Sequence, residues 1–251
     1  MGTLRRMDVL QYPDSLKAAQ ACGQRILDLL AKAIDTRMRA TLAISGGTSP
    51  KPMFELLAKS GFPWEQVHVF WVDERCVPPD DPQSNFRMAN AAWLTPASVS
   101  ASNIHRVPTE LEPPLAAQQY ARSVREFFKI RKGELPQFDV IHRGIGPDAH
   151  TASLFPGEPL IGDHEGLAAA VWVEKMQQWR VTLLPGVLEA AWHTVVLATG
   201  ADKVAAVDTV LHGPYDPMKW PAQIGARDIN VTWFLDQAAA GDLKDPLKER
   251  A

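Results

Sequence analysis

The sequence predicts a single α/β domain in which a mostly parallel sheet is flanked by helices, and three observations carry that prediction. Short apolar, β-branched runs alternate with longer segments whose apolar residues recur every three or four positions. Four of the short runs end in polar turns, the edge where sheets of this class bind ligands. No stretch changes composition sharply enough to divide the chain, and no repeat or low-complexity segment interrupts it.

The elements follow in order. Residues 7–12 form a first strand, and Pro13-Asp14-Ser15 starts a long amphipathic helix carrying Ile26, Leu29, Leu30 and Ala33 at helical spacing. Residues 40–44 (ATLAI) read as a buried strand. It runs into Ser45-Gly46-Gly47-Thr48-Ser49-Pro50 and then a helix through Leu57. Residues 67–72 (VHVFWV) form a strand ending in a loop, Asp73-Glu74-Arg75, and the three prolines of CVPPDDPQ extend that loop. Ser84 caps a helix over 85–94, residues 96–114 are irregular, and 115–130 are helical.

The second half opens with a strand from Phe138 that reaches Gly144, Gly146 and His150, after which the Thr-Ala-Ser-Leu run at 151–154 is fit to open a helix. Strands are expected at 167–173, 179–183, 193–199 and 230–235. Helices are expected at 185–191 and from Val204 to Leu211, with a short one after the last strand. The result is a Rossmann-like three-layer domain over residues 1–251 with a polar tail at 241–251.

Composition bounds the function. The apolar fraction of 46% and charged fraction of 22% suit a globular chain with a sizeable core. With 26 Lys plus Arg against 29 Asp plus Glu, the net charge of −3 argues against a nucleic-acid binder. Cys22 and Cys76 lie far apart with no CxxC spacing, so neither a disulfide framework nor a zinc site is expected. The first residues, MGTLRRMDVLQY, lack a continuous apolar run, and none in the chain approaches the ~18 residues of a membrane span. The expectation is a cytoplasmic protein.

The polar strand ends are Ser45 to Ser49, Asp73 to Arg75, Gly144 to His150, and Gly200 to Lys203. One such turn means little, since Gly, Ser and Asp belong in turns. Four on one edge suggest a site. The Ser45 loop can hold an anion through its N–H groups and the Thr48 hydroxyl, but it matches neither GxxxxGK[ST] nor GxGxxG. Lys203 can add a cation to the same anion, against the alternative of a solvated lysine. Arg180 lies in a strand-like run and needs an anionic partner, either structural or a ligand.

His150 is placed to take a proton from water near neutral pH, since the ordinary histidine pKa is ~6.5. The alternative is a histidine held in the turn for structure. The other six histidines fall in no ligand spacing, so no metal is expected. His142 and Arg143 interrupt an apolar strand, and the sequence assigns them no role. GxSxG is absent and neither cysteine has a motif around it, which favours activated water over a covalent nucleophile.

At these loops the chain closely resembles the 6-phosphogluconolactonases. The matching pieces are ISGGTSP, FWVDERCVPPDDPQSNFRMA, GIGPDAHTASLFPG, RVTL and LATGADKVAAV, in family order from about residue 40 to residue 207. The resemblance implies a fold like that of glucosamine-6-phosphate deaminase and hydrolysis of 6-phosphoglucono-δ-lactone to 6-phosphogluconate, with no cofactor. By matched position His150 resembles the base, Asp73 and Arg75 an active-site pair, and Asn85 the polar residue of SN. Gly46, Gly47, Thr48, Arg180 and Lys203, with Ser45 beside them, resemble ligand- and phosphate-binding positions.

The implied partner is a small sugar-phosphate lactone, with no nucleic acid and no membrane, met by a monomer or weak homo-oligomer. Two departures stand in the histidine turn: where the family reads G-x-G-E-D-G-H, this chain has Pro147 and Ala149. If the second position needs a positive φ, Ala149 is strained by ~1 kcal/mol or more. Two rivals are an aminosugar-phosphate deaminase or isomerase and a non-catalytic sugar-phosphate sensor. The run from Thr151 to Phe155 and the arginine of DER favour the lactonase over the first. No helix-turn-helix precedes Met7 to support the second.

Overall fold

The protein is described by a computed structural model over residues 7–243. Seven parallel strands form the main sheet: β1 (Asp8–Tyr12), β2 (Ala40–Ile44), β3 (Val67–Trp71), β5 (Ile104–His105), β6 (Val140–Arg143), β9 (Thr194–Ala198) and β10 (Val231–Asp236). Their spatial order is β1-β10-β9-β6-β2-β3-β5. From β2 the chain builds outward through β3 to β5, then returns to the other side of β2 with β6 and builds outward through β9 and β10. The order therefore reverses between β2 and β6. That is the position at which an open parallel sheet leaves a crevice beyond its carboxyl ends.

Among the described residues seven α-helices accompany these strands: α1 (Ser15–Arg37), α2 (Lys51–Lys59), α3 (Asn85–Ala89), α4 (Pro113–Phe128), α5 (Pro185–Glu189), α6 (Val204–His212) and α7 (Gln237–Ala240). The caps are local. The Asp14 side chain accepts from Lys17 N at 2.7 Å, and Ser84 Oγ accepts from Arg87 N at 3.1 Å. Strand alternation divides the core: Phe234 joins the apolar cluster that contains α1, whereas Trp233 and Leu235 join the one beneath α6. Helices thus cover both faces of the sheet. Among the described residues no helix is long and apolar enough to cross a membrane.

Three sequence expectations are corrected. Asp73-Glu74-Arg75 is a short strand, β4 (Asp73–Arg75), where a loop was expected. It pairs antiparallel with β8 (Gln178–Leu183), which pairs antiparallel with β7 (Ala168–Val173), giving a separate three-stranded sheet. The four residues between β7 and β8 can turn a hairpin but cannot make the crossover that a parallel pair requires. Residues 151–154 do not open a helix. Ala149 and Ala152 take positive φ of 59° and 53°, which breaks helical propagation, and Thr151 and Leu154 close a tight bridge instead. The irregular 96–114 segment contributes β5, which completes one edge of the main sheet. Of the polar tail, residues 244–251 lie outside the described residues.

Burial depresses four histidines, His68, His105, His142 and His193, and two of them by a large amount. Burial pushes His142 down to about 4, and burial together with His68, at 3.0 Å, pushes His105 down to about 4. Both stay neutral in the fold, while the unfolded chain takes up protons from about 6.5 downward. Their stability contribution is therefore complete above that value and is lost as pH falls toward 4, by up to about 3 kcal/mol for the fully buried His142. The urea midpoint is expected to drop steeply between pH 6.5 and 4, and His142→Leu is expected to flatten that limb.

Candidate active site

The crevice at the strand reversal is a cavity of roughly 220 Å³. The turns after β2, β6 and β9 line it, joined by β4, β8 and the start of α3. The residues singled out from the sequence meet here. Ser45, Gly46, Gly47 and Thr48 come from the first turn, and His150 comes from the second. Lys203 follows β9, Asp73 and Arg75 lie on β4, Asn85 opens α3, and Arg180 comes from β8. Chain separations of more than 100 residues are closed by neighbouring strands.

Glycine decides two of the approaches. A Cβ on Gly46 would lie 1.8 Å from Asn85 Oδ1, so the first turn closes on Asn85 only because residue 46 has no side chain. Asn85 is buried; its Nδ2 donates to the Asp73 carbonyl at 2.9 Å, and its Oδ1 has no partner among the described residues. On the other side, a Cβ on Gly146 would lie 1.9 Å from His150 Nδ1.

Glu74 holds the wall in place and was not anticipated. Its buried carboxylate accepts from Arg75 N at 2.8 Å, Asn85 N at 2.7 Å, Phe86 N at 2.7 Å and Ser84 Oγ at 3.1 Å. Burial pushes its carboxyl up, opposed by those N–H groups. It ties β4 to the first turn of α3, where a carboxylate is favoured. The signal was in the sequence: in a strand, Asp73 and Arg75 face one way and Glu74 the other, and Ser84 to Phe86 offer the free N–H groups of a helix start.

His150 sits in a turn closed by its own backbone, in which Gly146 N donates to His150 O and Ala149 N to Gly146 O, both at 2.9 Å. Ala149 takes the left-handed φ that its position demands. Its strain is offset by full burial and by a hydrogen bond from Ala222 N to its carbonyl at 2.8 Å. Asp148 Oδ1 lies 2.5 Å from His150 Nδ1, and Lys175 Nζ contacts Asp148 Oδ2. Burial alone would raise the Asp148 carboxyl, but the hydrogen bonds from His150 and Lys175 outweigh it and hold it well below the usual carboxylate range. A carboxylate only accepts, so Nδ1 carries the proton and Nε2 presents its lone pair. Phe155 stacks on the imidazole at 4.2 Å.

The carboxylate bonded to the ring is thus Asp148 and not Asp73. Asp73 instead accepts from Ser153 Oγ at 2.8 Å.

The opposite wall is cationic. Arg75 and Arg180 are cross-strand partners in the β4–β8 ladder, and each has a buried Nε without a partner among the described residues. Burial lowers the Arg180 pKa and Arg75 beside it acts in the same direction, partly opposed by Asp73 and Glu74. Lys203 pairs with Asp202 at 2.9 Å. Three cations thus face the cavity against one lining carboxylate, Asp73, a balance that favours an anionic ligand. His142 also lines the cavity, and neither ring nitrogen has a partner among the described residues. Arg143, on the same strand, is fully buried, and its guanidinium has no partner among the described residues.

The profile of the family described as glucosamine-6-phosphate isomerases/6-phosphogluconolactonase matches residues 13–233. The chain is 39% identical over 216 residues to a 6-phosphogluconolactonase of Synechocystis sp., covering 86% of this chain and 89% of the relative. It is 38% identical over 224 residues to that of Nostoc sp., covering 87% and 92%. A solved 6-phosphogluconolactonase structure from Thermotoga maritima superimposes with a TM-score of 0.80 at 27% identity, covering 92% of this chain and 99% of that one.

Proposed function

Because this chain belongs to the family of glucosamine-6-phosphate isomerases and 6-phosphogluconolactonases, we propose that its cavity hydrolyses 6-phosphoglucono-1,5-lactone to 6-phosphogluconate, with His150 as general base. The observation that carries this reading is a carboxylate-held imidazole facing one cavity with Arg75, Arg180 and Lys203.

The chemistry follows from the placement. A lactone is a cyclic ester, so hydrolysis requires water to add to C1, the carbonyl oxygen to bear charge, and the ring C1–O bond to break. His150 Nε2 takes the proton from the attacking water, and Asp148 supports the imidazolium that forms. The N–H groups of Gly46 to Thr48, which hold no partner among the described residues, or the Arg75 guanidinium stabilise the oxyanion. On collapse, the imidazolium returns its proton to the departing ring oxygen, which becomes a hydroxyl. Arg180, Lys203 and Thr48 hold the distal phosphate and so fix C1 before the base. Asp73 and Asn85 are left for the sugar hydroxyls. The route calls on side chains and backbone alone. We assign it to a cytoplasmic chain acting as one domain, as a monomer or weak homo-oligomer. Its two cysteines are both free, which suits a reducing compartment.

One substitution tests the geometry without removing a functional group. Gly146→Ala would put a methyl where Nδ1 stands and push the ring off its aim. A misplacement of ~1 Å can cost ~100-fold, so kcat is expected to fall by about that factor with KM little changed.

The family also contains aminosugar-phosphate isomerases, and one pair of assays separates the readings. Acid release from freshly made 6-phosphogluconolactone is followed beside ammonia release from glucosamine 6-phosphate. Acid release without ammonia supports the lactonase, and ammonia release overturns it. A sugar-phosphate-induced melting shift with neither product would make the protein a sensor.

A further inference from the structure

A lysine behind the imidazole has no place in the chemistry above. Lys175 sits in the turn joining β7 to β8 and does not line the cavity. It nevertheless makes two contacts that converge on His150. Its Nζ bonds Asp148 Oδ2 while Asp148 Oδ1 holds His150 Nδ1. The same ammonium lies 4.3 Å from the centroid of Phe155, the ring stacked on His150 at 4.2 Å. The two arms close a loop of four side chains: Lys175, Asp148, His150 and Phe155. Three of them belong to the β6 turn and one to the small antiparallel sheet.

We propose that Lys175 is a positioning residue for the reaction, pinning Asp148 and Phe155 so that the His150 ring keeps one tautomer and one orientation, and screening the Asp148 charge from the base. The inference rests on His150 being the general base.

Asp148 has two roles that pull apart. A carboxylate bonded to Nδ1 orients the ring, but it also favours the imidazolium, the form that cannot accept a proton. A cation on the far oxygen retains the first effect and weakens the second. The other charges around His150 come from other elements. Arg180 on β8 lies 5.8 Å from the Phe155 ring, while Arg75 and Asp73 on β4 and Lys203 after β9 line the cavity that His150 faces. None of them touches Asp148, so Lys175 is the one described cation bonded to the carboxylate that holds the base.

Lys175→Met removes the charge and keeps the stem, while Lys175→Arg keeps the charge. For Lys175→Met, the acid limb of the kcat/KM profile is expected to move upward by about half a pH unit. Turnover at pH 6 is expected to fall by about 2- to 3-fold, the most that half a unit allows, with KM within about two-fold of wild type. Lys175→Arg is expected to restore the wild-type limb, and the NMR titration of the His150 ring is expected to move with it. A profile superimposable on wild type overturns the inference, and so does a defect confined to KM, which would mean that Lys175 binds substrate. His150→Ala, run in parallel, keeps the two readings apart. If it remains active, the general-base reading fails. If it is inactive while Lys175→Met is indistinguishable from wild type, only this inference fails.

Discussion

His150→Ala is expected to lower kcat for lactone hydrolysis by roughly 10²- to 10⁴-fold, the usual range for a positioned general base. The fold is expected to survive. The ring is 22% exposed at its side chain, and its one side-chain hydrogen bond among the described residues is to Asp148, which keeps its partner in Lys175 when the imidazole is removed. The closure of the turn is backbone to backbone and does not depend on the ring. A thermal melt within a few degrees of wild type, beside the collapsed rate, separates lost chemistry from lost structure. Full activity in a folded variant would remove the histidine from the mechanism.

Arg180→Met is expected to produce the second large effect, this time on substrate capture. Losing a desolvated charge-assisted contact to phosphate costs about 2–4 kcal/mol, or about 30- to 1,000-fold in kcat/KM. In the free protein the residue adds little to the fold: its Nε is buried without a partner among the described residues, and Arg75 stands directly across the ladder, against which Asp73 and Glu74 supply opposite charge. The variant's melting temperature is therefore expected not to fall, while 6-phosphogluconate loses its ability to raise it. A variant that binds as wild type, or that unfolds, would make Arg180 a structural arginine.

Much of the site was legible because its residues sit where strands end, and strand ends are marked by composition. β2, β3, β6 and β9 could be read from short apolar runs, and the polar turns after them could only meet if those strands were neighbours. The small antiparallel sheet was harder to see. Asp73-Glu74-Arg75 is too short and too charged to announce a strand, and its pairing with residues 180–182 joins segments about a hundred residues apart. Without that pairing, Glu74 looked like one more loop acid, and its part in holding β4 to α3 stayed hidden. The helix expected at Thr151 failed for a local reason: the family pattern hinted at a positive φ at Ala149, but nothing marks the second one at Ala152, a conformation that alanine does not advertise. Lys175 carried no motif at all. Its contact with Asp148 exists only once the β7–β8 hairpin is folded beside the histidine turn.

The most direct test follows acid release from freshly prepared 6-phosphogluconolactone, with wild type and His150→Ala side by side and the spontaneous rate subtracted. Rapid release by the wild-type protein and release close to the spontaneous rate by the variant are expected. Wild-type release no faster than the uncatalysed reaction would rule out the lactonase, and a variant that keeps pace with wild type would rule out His150 as its base.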